Sequence, residues 1–229
     1  AIIQRTPKKH HRQTQLFSAT FSEDIKRLAA SWTLNPIHID IEPEKVAVDS
    51  VEQIVYLTSE DDKFKVLYNF IKVHEISKVL IFVNRRDQTR RLEDKLYRHG
   101  FKTGLLSGEV PQKKRIKTLD QFKEGEIEVL VATDVAGRGI HVDDISHVIN
   151  YNLPEDPEDY VHRIGRTGRA GAEGTSLSLA CETDSFMLPS IEELLGEPLS
   201  CEQPPVELLD ELPAPIKRSR PTSSVSQPP

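Results

Sequence analysis

The densest group of chemically capable side chains is the segment 162–169, which reads His-Arg-Ile-Gly-Arg-Thr-Gly-Arg. It places Arg163, Arg166 and Arg169 at intervals of three residues. Residues three apart share a helix face, and guanidinium groups bind oxyanions through paired hydrogen bonds. The glycines between the arginines would weaken a plain surface helix, so a solvated helix end explains the segment less well. The spacing therefore predicts a phosphate-binding ladder of three arginines.

Two further segments combine polar side chains with the end of a predicted strand. In the first, an apolar run over 129–132 is followed by Thr133, Asp134 and a Gly-Arg-Gly triplet. In the second, residues 107–115 lead from a strand end into a basic helix that begins at Pro111. Parallel sheets bind ligands at their carboxyl edge, and helix N-termini attract phosphate. Both segments are candidate ligand loops, with an ordinary polar turn and a solvated lysine-rich helix as the simpler alternatives.

The elements that would hold these loops alternate along the middle of the chain. Runs rich in β-forming residues are separated by helical stretches, which is typical of a parallel sheet with crossover helices. The predicted strands are 53–57, 78–83, 102–106, 128–132, 147–150 and 175–180, and the predicted helices are 61–74, 87–99 and 111–124. The sequence therefore predicts one open α/β domain.

Changes in composition divide the chain into five predicted zones. The first holds a short strand over 14–17 and a helix that begins at Ser22. The α/β domain follows a linker without clear periodicity, and prolines and acidic residues dominate the end. The zones are a lead-in unit over 1–40, a linker over 41–51, the α/β domain over 52–182, a terminal helix over 183–200 and a disordered tail over 201–229.

Overall composition restricts the class of protein. The 229 residues are 29% charged, with 30 Lys and Arg against 36 Asp and Glu, and the net charge is −6. No apolar run approaches the roughly 20 residues that a membrane span requires. The two cysteines, Cys181 and Cys201, lack metal-ligand spacing, and the first residues do not read as a basic-then-apolar leader. We therefore predict a cytoplasmic protein with reduced thiols and no bound metal of its own.

In chain order, five signatures resemble the C-terminal portion of the DEAD-box ATP-dependent RNA helicases of superfamily 2. They are Ser18-Ala-Thr20, Ile81-Phe-Val-Asn84, Gln112-x-x-Arg115, Ala132-Thr-Asp-Val-Ala-Gly-Arg-Gly139 and the segment 162–169. Within the family, Gly139-Ile-His141 and Asp159-Tyr-Val-His162 are most similar to the bacterial RhlB group. The resemblance implies a RecA-like lobe of the P-loop NTPase type, which clamps ATP and RNA against a second lobe.

The resemblance also implies roles for individual residues. Arg166 and Arg169 would reach the γ-phosphate of ATP, with Arg169 as the arginine finger. His162 would take part in catalysis and, with Asp134, would couple the state of the nucleotide to the grip on RNA. The implied nucleotide contacts are Gly137, Gly139, His141, Arg166 and Arg169, the implied RNA backbone contacts are Asn84, Arg85, Gly108, Arg115 and Thr133, and the residues that would link hydrolysis to strand separation are Ser18 and Thr20.

The sequence departs from the family pattern at two points. His141 stands where most members have an aspartate that meets the ATP ribose, so we expect weaker ATP binding. The sequence also contains neither Gly-x-x-x-x-Gly-Lys-Ser/Thr nor Asp-Glu-Ala-Asp, and no glycine precedes Gly100. We therefore expect the chain to begin near the end of the first helicase lobe. The Mg²⁺ ligands would lie in that missing lobe, and this chain alone would not hydrolyse ATP.

The expected partners are single-stranded or structured RNA, the N-terminal helicase lobe and, through the RhlB resemblance, the ribonuclease E degradosome. One alternative is a stand-alone RNA-binding module, which the presence of Arg166, Arg169 and Ser18 disfavours because these serve a nucleotide and a partner lobe. The other is a DNA-directed superfamily 2 helicase. Contact with the ribose 2′-hydroxyl distinguishes the two substrates.

Overall fold

The computed structural model describes residues 3–18, 23–39, 51–137, 142, 145–168 and 173–216. The chain divides into two compact units, Ala1–Glu44 and Lys45–Pro229. In the first unit, two short 3₁₀ turns, Ile3–Arg5 and Lys9–His11, precede the helix α1 (Glu23–Trp32). The guanidinium of Arg12 donates to the carbonyl oxygens of Pro7 and Trp32 at 2.7 and 3.2 Å, and so ties the lead-in to the end of α1.

The strand predicted over 14–17 is wrong, because residues 13–18 adopt no regular secondary structure. A strand needs a neighbour with which to exchange backbone hydrogen bonds. The described part of the first unit contains no second strand that could act as this neighbour. The predicted start of α1 at Ser22 lies outside the described residues, and Glu23 and Asp24 occupy its first described turn.

The second unit is built on a seven-stranded, entirely parallel sheet. The spatial order of its strands is β3-β4-β2-β5-β6-β1-β7. The strands are β1 (Val51–Leu57), β2 (Val79–Phe82), β3 (Thr103–Leu106), β4 (Val129–Ala132), β5 (His147–Asn150), β6 (Gly174–Ala180) and β7 (Cys201–Glu202). The helices are α2 (Lys63–Val73), α3 (Arg86–Arg98), α4 (Gln112–Lys123), α5 (Asp134–Gly137), α6 (Pro157–Ile164) and α7 (Leu188–Leu195). This confirms the predicted α/β fold with flanking helices.

The sheet is central because its middle strands are apolar on both faces. All four residues of β2 and of β4 are buried, as expected for parallel strands that are covered by helices on both sides. Val79 and Ile81 pack into the core beneath α2 and α3, whereas Leu80 and Phe82 pack into a second core that includes Phe122 of α4. The alternation in β2 thus fixes which helices lie on which face.

The C-terminal segment differs from its prediction. The predicted helix over 183–200 is a 3₁₀ turn, Ser185–Met187, followed by α7, which ends at Gly196 with a φ of +75°. Beyond it β7 pairs with β1, and a 3₁₀ turn over Val206–Leu209 follows. The disorder predicted for residues 201–229 is therefore wrong over 201–216, while residues 217–229 lie outside the described residues.

A few specific contacts hold this segment, which we call the C-terminal strap (residues 196–216). Leu208 is 1% exposed in the core beneath α2. The side chain of Asn69 donates to the carbonyl oxygens of Leu208 and Asp210, both at 3.0 Å. The backbone N–H of Ile216 donates to the carbonyl oxygen of Arg98 at 2.7 Å. A Pro-rich, acidic composition is compatible with order here because two buried leucines, Leu199 and Leu208, and captured carbonyls fix the backbone.

Candidate nucleotide and RNA site

The centre of the site is the side chain of Arg163, which is 1% exposed near the end of α6. Its Nε and one terminal nitrogen donate to the two carboxylate oxygens of Asp134 at 2.5 and 2.8 Å. The same terminal nitrogen donates to Asn84 Oδ1 at 2.7 Å. The other terminal nitrogen donates to the carbonyl oxygen of Asn152 at 2.7 Å and to Asn150 Oδ1 at 3.3 Å. All five donors of the guanidinium are therefore used inside the protein.

These five residues, Arg163, Asn84, Asp134, Asn150 and Asn152, form what we call the arginine hub. Asn84 follows β2, Asp134 follows β4, and Asn152 follows β5, and these three strands are adjacent in the sheet. A buried guanidinium is tolerated only when its charge and its donors are satisfied. The hub therefore joins the carboxyl ends of three strands to α6, which carries His162 and leads into the turn with Arg166.

The predicted ladder of three arginines is wrong at its first position. Arg163 lies on the same face of α6 as Tyr160 and Ile164, which are 0% and 1% exposed, and this face packs against the sheet. Arg166 is only partly buried, and its Nε donates to the carbonyl oxygen of His162 at 3.1 Å. Of the two ladder arginines among the described residues, Arg166 and not Arg163 can thus present a cation to a ligand.

Two contacts outside the hub fix α6. At its start, the carboxylate of Asp156 accepts a hydrogen bond from the N–H of Glu158 at 3.0 Å, and Pro157 occupies the first turn. In its middle, the hydroxyl of Tyr160 donates to Gln53 Oε1 at 2.9 Å. Burial raises the pKa of Tyr160 to about 12, so the phenol stays protonated and keeps this hydrogen bond at neutral pH. These contacts therefore fix the position of His162 in α6 and of Arg166 just after its end.

A shallow cleft opens between α6 and α5 beside the hub. The imidazole Nδ1 of His162 is buried, lies 3.5 Å from Asp159 Oδ1 and makes no hydrogen bond within the described part of the chain. Gly137 lies opposite, and a Cβ there would collide with the ring of Phe82. The residues that line the cleft are Phe82, Asp134, Gly137, Asp159, His162, Arg163 and Arg166. Arg166 contributes a guanidinium to this lining, and a guanidinium suits an oxyanion ligand.

Two of the predicted RNA-binding residues have side chains that are hydrogen-bonded or buried within the domain. Asn84 accepts from the hub through Oδ1 and donates to the carbonyl oxygen of Leu153 at 2.8 Å, so its amide bonds on both sides. Thr133 is 6% exposed, and its N–H donates to the carbonyl oxygen of Leu106 at 3.2 Å. Asn84 therefore has its amide occupied within the domain, and Thr133 offers little side-chain surface.

The other three predicted RNA-binding residues surround the loop after β3. Gly108 is exposed, and so is the side chain of Arg85, which lies 3.4 Å from Asp87 Oδ1. Arg115 in α4 donates to the carbonyl oxygen of Ala136 in α5 at 3.1 Å, and so links this loop to the Asp134 segment. This edge can contact phosphate through cations and exposed backbone, which is a mode of binding that does not read sequence.

Similarity to known proteins identifies the family. Residues 62–171 match the helicase conserved C-terminal domain. The chain is 34% identical to the Escherichia coli DEAD-box protein SrmB in its complex with regulator of ribonuclease activity A, with a TM-score of 0.65 and coverage of 75% of this chain and 98% of that one. The chain belongs to the DEAD-box family. The RNA-bound and ADP BeF3-bound Dbp5 of Saccharomyces cerevisiae is also similar, with 31% identity, a TM-score of 0.71 and coverage of 82% of this chain and 50% of Dbp5.

Curated relatives define the subgroup of the DEAD-box family. The ATP-dependent RNA helicase RhlB of Pseudomonas aeruginosa is 59% identical over 212 residues, which are 93% of this chain and 53% of that protein. The RhlB of Shewanella denitrificans is 43% identical over 225 residues, which are 97% of this chain and 52% of that protein. The predicted similarity to the RhlB group is confirmed. The chain spans about half the length of the curated relatives it matches.

Several predicted residues of the DEAD-box site lie outside the described residues. These are Thr20, Gly139, His141 and Arg169. Ser18 is described, at the end of the irregular segment in the first unit. Among the described residues, no group of three or more His, Cys, Asp or Glu side chains is placed to hold a metal ion. That the Mg²⁺ ligands belong to an N-terminal lobe stays a prediction.

The structure contains a buried ionic cluster that the sequence analysis did not predict. The side chain of Lys63 is fully buried at the start of α2, with its ammonium 2.8 Å from Asp184 Oδ2. The same carboxylate accepts from the N–H groups of Leu153 and Cys181 at 3.2 and 2.8 Å. The signal was available, because Lys63 shares a helical face with the apolar residues three, four and seven positions later. This cluster positions the segment after β5, next to the hub.

Proposed function

We propose that this chain supplies the C-terminal half of the composite active site of an ATP-dependent RNA helicase. The observation that carries the proposal is the arginine hub, in which one buried guanidinium joins the His162 and Arg166 side of the site to the loops after β2, β4 and β5. A plain RNA-binding surface does not require this buried polar connection, whereas an enzyme that couples a nucleotide to RNA does.

On the nucleotide side, the chain contributes cations and positioning. Arg166 and Arg169 would face the γ-phosphate and neutralise the charge that develops as its bond to the leaving oxygen breaks. His162 would contribute its ring to the wall of the cleft, with its buried Nδ1 held 3.5 Å from Asp159 Oδ1. Bound Mg²⁺–ATP would supply the phosphoryl group and the metal charge. Gly137 lets α5 pack closely beside the cleft, because a Cβ there would collide with the ring of Phe82.

On the RNA side, Gly108, Arg85 and Arg115 would hold the sugar–phosphate backbone without reading bases. Asn84 and Thr133 would act by fixing the shape of their loops, since the Asn84 amide is engaged on both sides and Thr133 is buried. Coupling follows from rigidity. Asp134 and Asn84 share one guanidinium, so a movement of α6 toward ATP is transmitted to the RNA-facing loops.

We further propose cytoplasmic RNA as the substrate and a ribonuclease assembly as a partner, both by kinship with the RhlB group. Cys181 and Cys201 are free thiols, as a reducing compartment favours. No helix in the described part of the chain combines the length and apolar character needed to cross a membrane. Co-purification with ribonuclease E, with and without nuclease treatment, tests the partnership.

The test of the proposed function is RNA-stimulated ATP hydrolysis by this chain alone and by the same chain fused to the N-terminal lobe of the P. aeruginosa relative. We expect turnover only from the fusion, with stimulation by RNA and not by DNA of the same sequence. A fusion that stays inactive while the chain alone binds RNA tightly would overturn the enzyme in favour of an RNA-binding module. Equal stimulation by DNA would instead favour a DNA-directed helicase.

A further inference from the structure

Basic side chains concentrate around the loop that follows β3. Residues 85–91 and 107–117 together contain eight Lys or Arg and two Asp or Glu, in a chain whose overall net charge is −6. One of the eight, Arg115, is directed at α5. Of the remaining seven, Arg85 belongs to the core RNA contacts, and the other six form what we call the basic rim: Arg86, Arg90, Arg91, Lys113, Lys114 and Lys117. They lie along the first turns of α3 and α4, beside the edge strand of the sheet.

The arginines of the rim are exposed, and the carboxylates beside them are too few to neutralise their charge. The side chains of Arg86, Arg90 and Arg91 are 63%, 56% and 82% exposed. Arg86 and Arg90 both pair with Glu109, while Arg91 lies 3.9 Å from Asp87, which also pairs with Arg85. Exposed pairs of this kind are weak and are screened by salt. The rim therefore keeps a net positive charge that can bind an external polyanion.

The rim is continuous with the RNA-facing edge. The guanidinium of Arg86 lies 3.6 Å from the position that a Cβ on Gly108 would occupy, and Arg85 directly follows Asn84 of the hub. From Arg86 to Arg91, α3 rises about 7.5 Å at about 1.5 Å per residue. A stacked strand advances about 3.4 Å along its axis per nucleotide, so this part of the helix can lie beside about two more nucleotides.

We propose that the basic rim binds the phosphates of RNA nucleotides that lie beyond those held at Gly108 and Arg115. The inference rests on the proposed function, because it extends the same RNA path along α3 and α4. Phosphate binding by separate Lys and Arg side chains releases counterions and carries no sequence preference. The rim thus supplies length-dependent affinity, and it keeps a structured RNA attached while the core site changes state.

The composition of the rim favours RNA over an acidic protein. Protein interfaces depend on apolar or aromatic anchors that become buried at their centre. On α3 and α4, within the described residues, Ile116 is the one large apolar side chain that is more than half exposed. A surface of separated cations with a single apolar anchor suits a flexible phosphate chain better than a folded partner.

The test uses the full 229-residue chain and compares two triple variants. The rim variant is Arg90→Gln with Arg91→Gln and Lys114→Gln. The matched control removes three exposed cations from the distal ends of the same helices and from the residue before β3, namely Arg98→Gln, Lys102→Gln and Lys123→Gln. Fluorescence anisotropy measures binding of a short single-stranded RNA that fills the core site alone, and of a longer RNA, over a series of salt concentrations.

We expect the rim variant to lose affinity for the long RNA by about tenfold or more at low salt. Its slope of log affinity against log salt should fall by about 2, since about 0.7 counterions are released per contact. Binding of the short RNA should not change, and the control should match the unmodified chain.

Equal affinity of the rim variant and the control for long RNA would overturn the proposal, as would an equal loss on short RNA. Competition by poly-glutamate as effective as that by long RNA would assign the rim to an acidic protein instead. If the unmodified chain binds neither RNA, the rim proposal fails, whereas the proposed function is judged separately by the ATP turnover of the fusion.

Discussion

At the scale of single residues, Arg163 and Arg166 show that identical side chains one helical turn apart have opposite roles. Arg163 is 1% exposed and uses all its donors within the hub, whereas Arg166 is partly exposed at the cleft. Spacing alone predicted three equivalent phosphate ligands. The sequence did contain a distinguishing signal, because Arg163 shares a helical face with Tyr160 and Ile164, which form the buried side of α6.

The same substitution at these two positions should therefore separate stability from catalysis. Arg163→Lys leaves hub acceptors without donors, and breaking a buried pair of this kind costs roughly 3 to 5 kcal/mol of unfolding free energy. Arg166→Lys should change the unfolding free energy by less than about 0.5 kcal/mol, as other surface substitutions do. Urea unfolding followed by circular dichroism measures both values. Equal destabilisation by the two variants would contradict the distinction.

His147 at the start of β5 should make stability depend on pH. Burial, and then the nearby His74, lower the pKa of His147 below its ordinary value of 6.5, while Glu52 opposes the shift. Just below pH 6.5 the unfolded chain therefore binds a proton at His147 that the folded chain does not bind. The contribution of His147 to the free energy of unfolding is full above pH 6.5 and is lost as the pH falls below it. His147→Gln should flatten that part of the profile in unfolding experiments from pH 5 to 8. A variant with the same slope as the unmodified chain would show that other groups cause it.

At the scale of elements, strands and helices were predictable where sequence periodicity reflects two-sided burial. The runs Val79–Phe82 and Val129–Ala132 are apolar throughout because α-helices cover both faces, and this makes them central strands. The C-terminal strap was not predictable in this way. Two buried leucines, Leu199 and Leu208, and the two carbonyl oxygens held by Asn69 give order to a segment that has no periodicity. The strand over 14–17 failed for the opposite reason, since a β-like pattern without a neighbouring strand forms no sheet.

The strap offers a matched pair of positions only two residues apart. Leu208 is 1% exposed beneath α2, whereas Val206 is 80% exposed. Leu208→Ala should lower the unfolding free energy by about 2 to 5 kcal/mol through lost burial and the cavity that remains. Val206→Ala should change it by less than about 0.5 kcal/mol. Hydrogen exchange at the Ile216 N–H, which bonds to Arg98, should accelerate in the first variant alone. If both variants exchanged at the unmodified rate, the strap would not depend on its anchor.

At the scale of the whole molecule, the family and the carboxyl-edge site followed from motifs in register, but the way the site is held together did not. Asn84 was expected to contact RNA and Asp134 to couple the nucleotide to RNA, and the side chains of both bind Arg163. Long-range pairs across 29 and 79 residues cannot be read from local spacing. Motif recognition therefore identifies which loops meet, and only the three-dimensional contacts show which side chains remain available for chemistry.

The composite site leads to a prediction for the fusion that carries an N-terminal lobe. Arg169→Ala should lower ATP turnover on the order of a thousandfold, because an arginine finger neutralises charge that develops only during phosphoryl transfer. RNA affinity should stay within about twofold, since Arg163 holds the RNA-facing loops and the expected role of Arg169 is confined to the transferred phosphate. Arg98→Gln, at the far end of α3, is the control and should keep full turnover. Single-turnover hydrolysis and anisotropy with the same RNA give both quantities. A parallel loss of RNA affinity would place Arg169 in the RNA site and would remove the arginine finger from the mechanism.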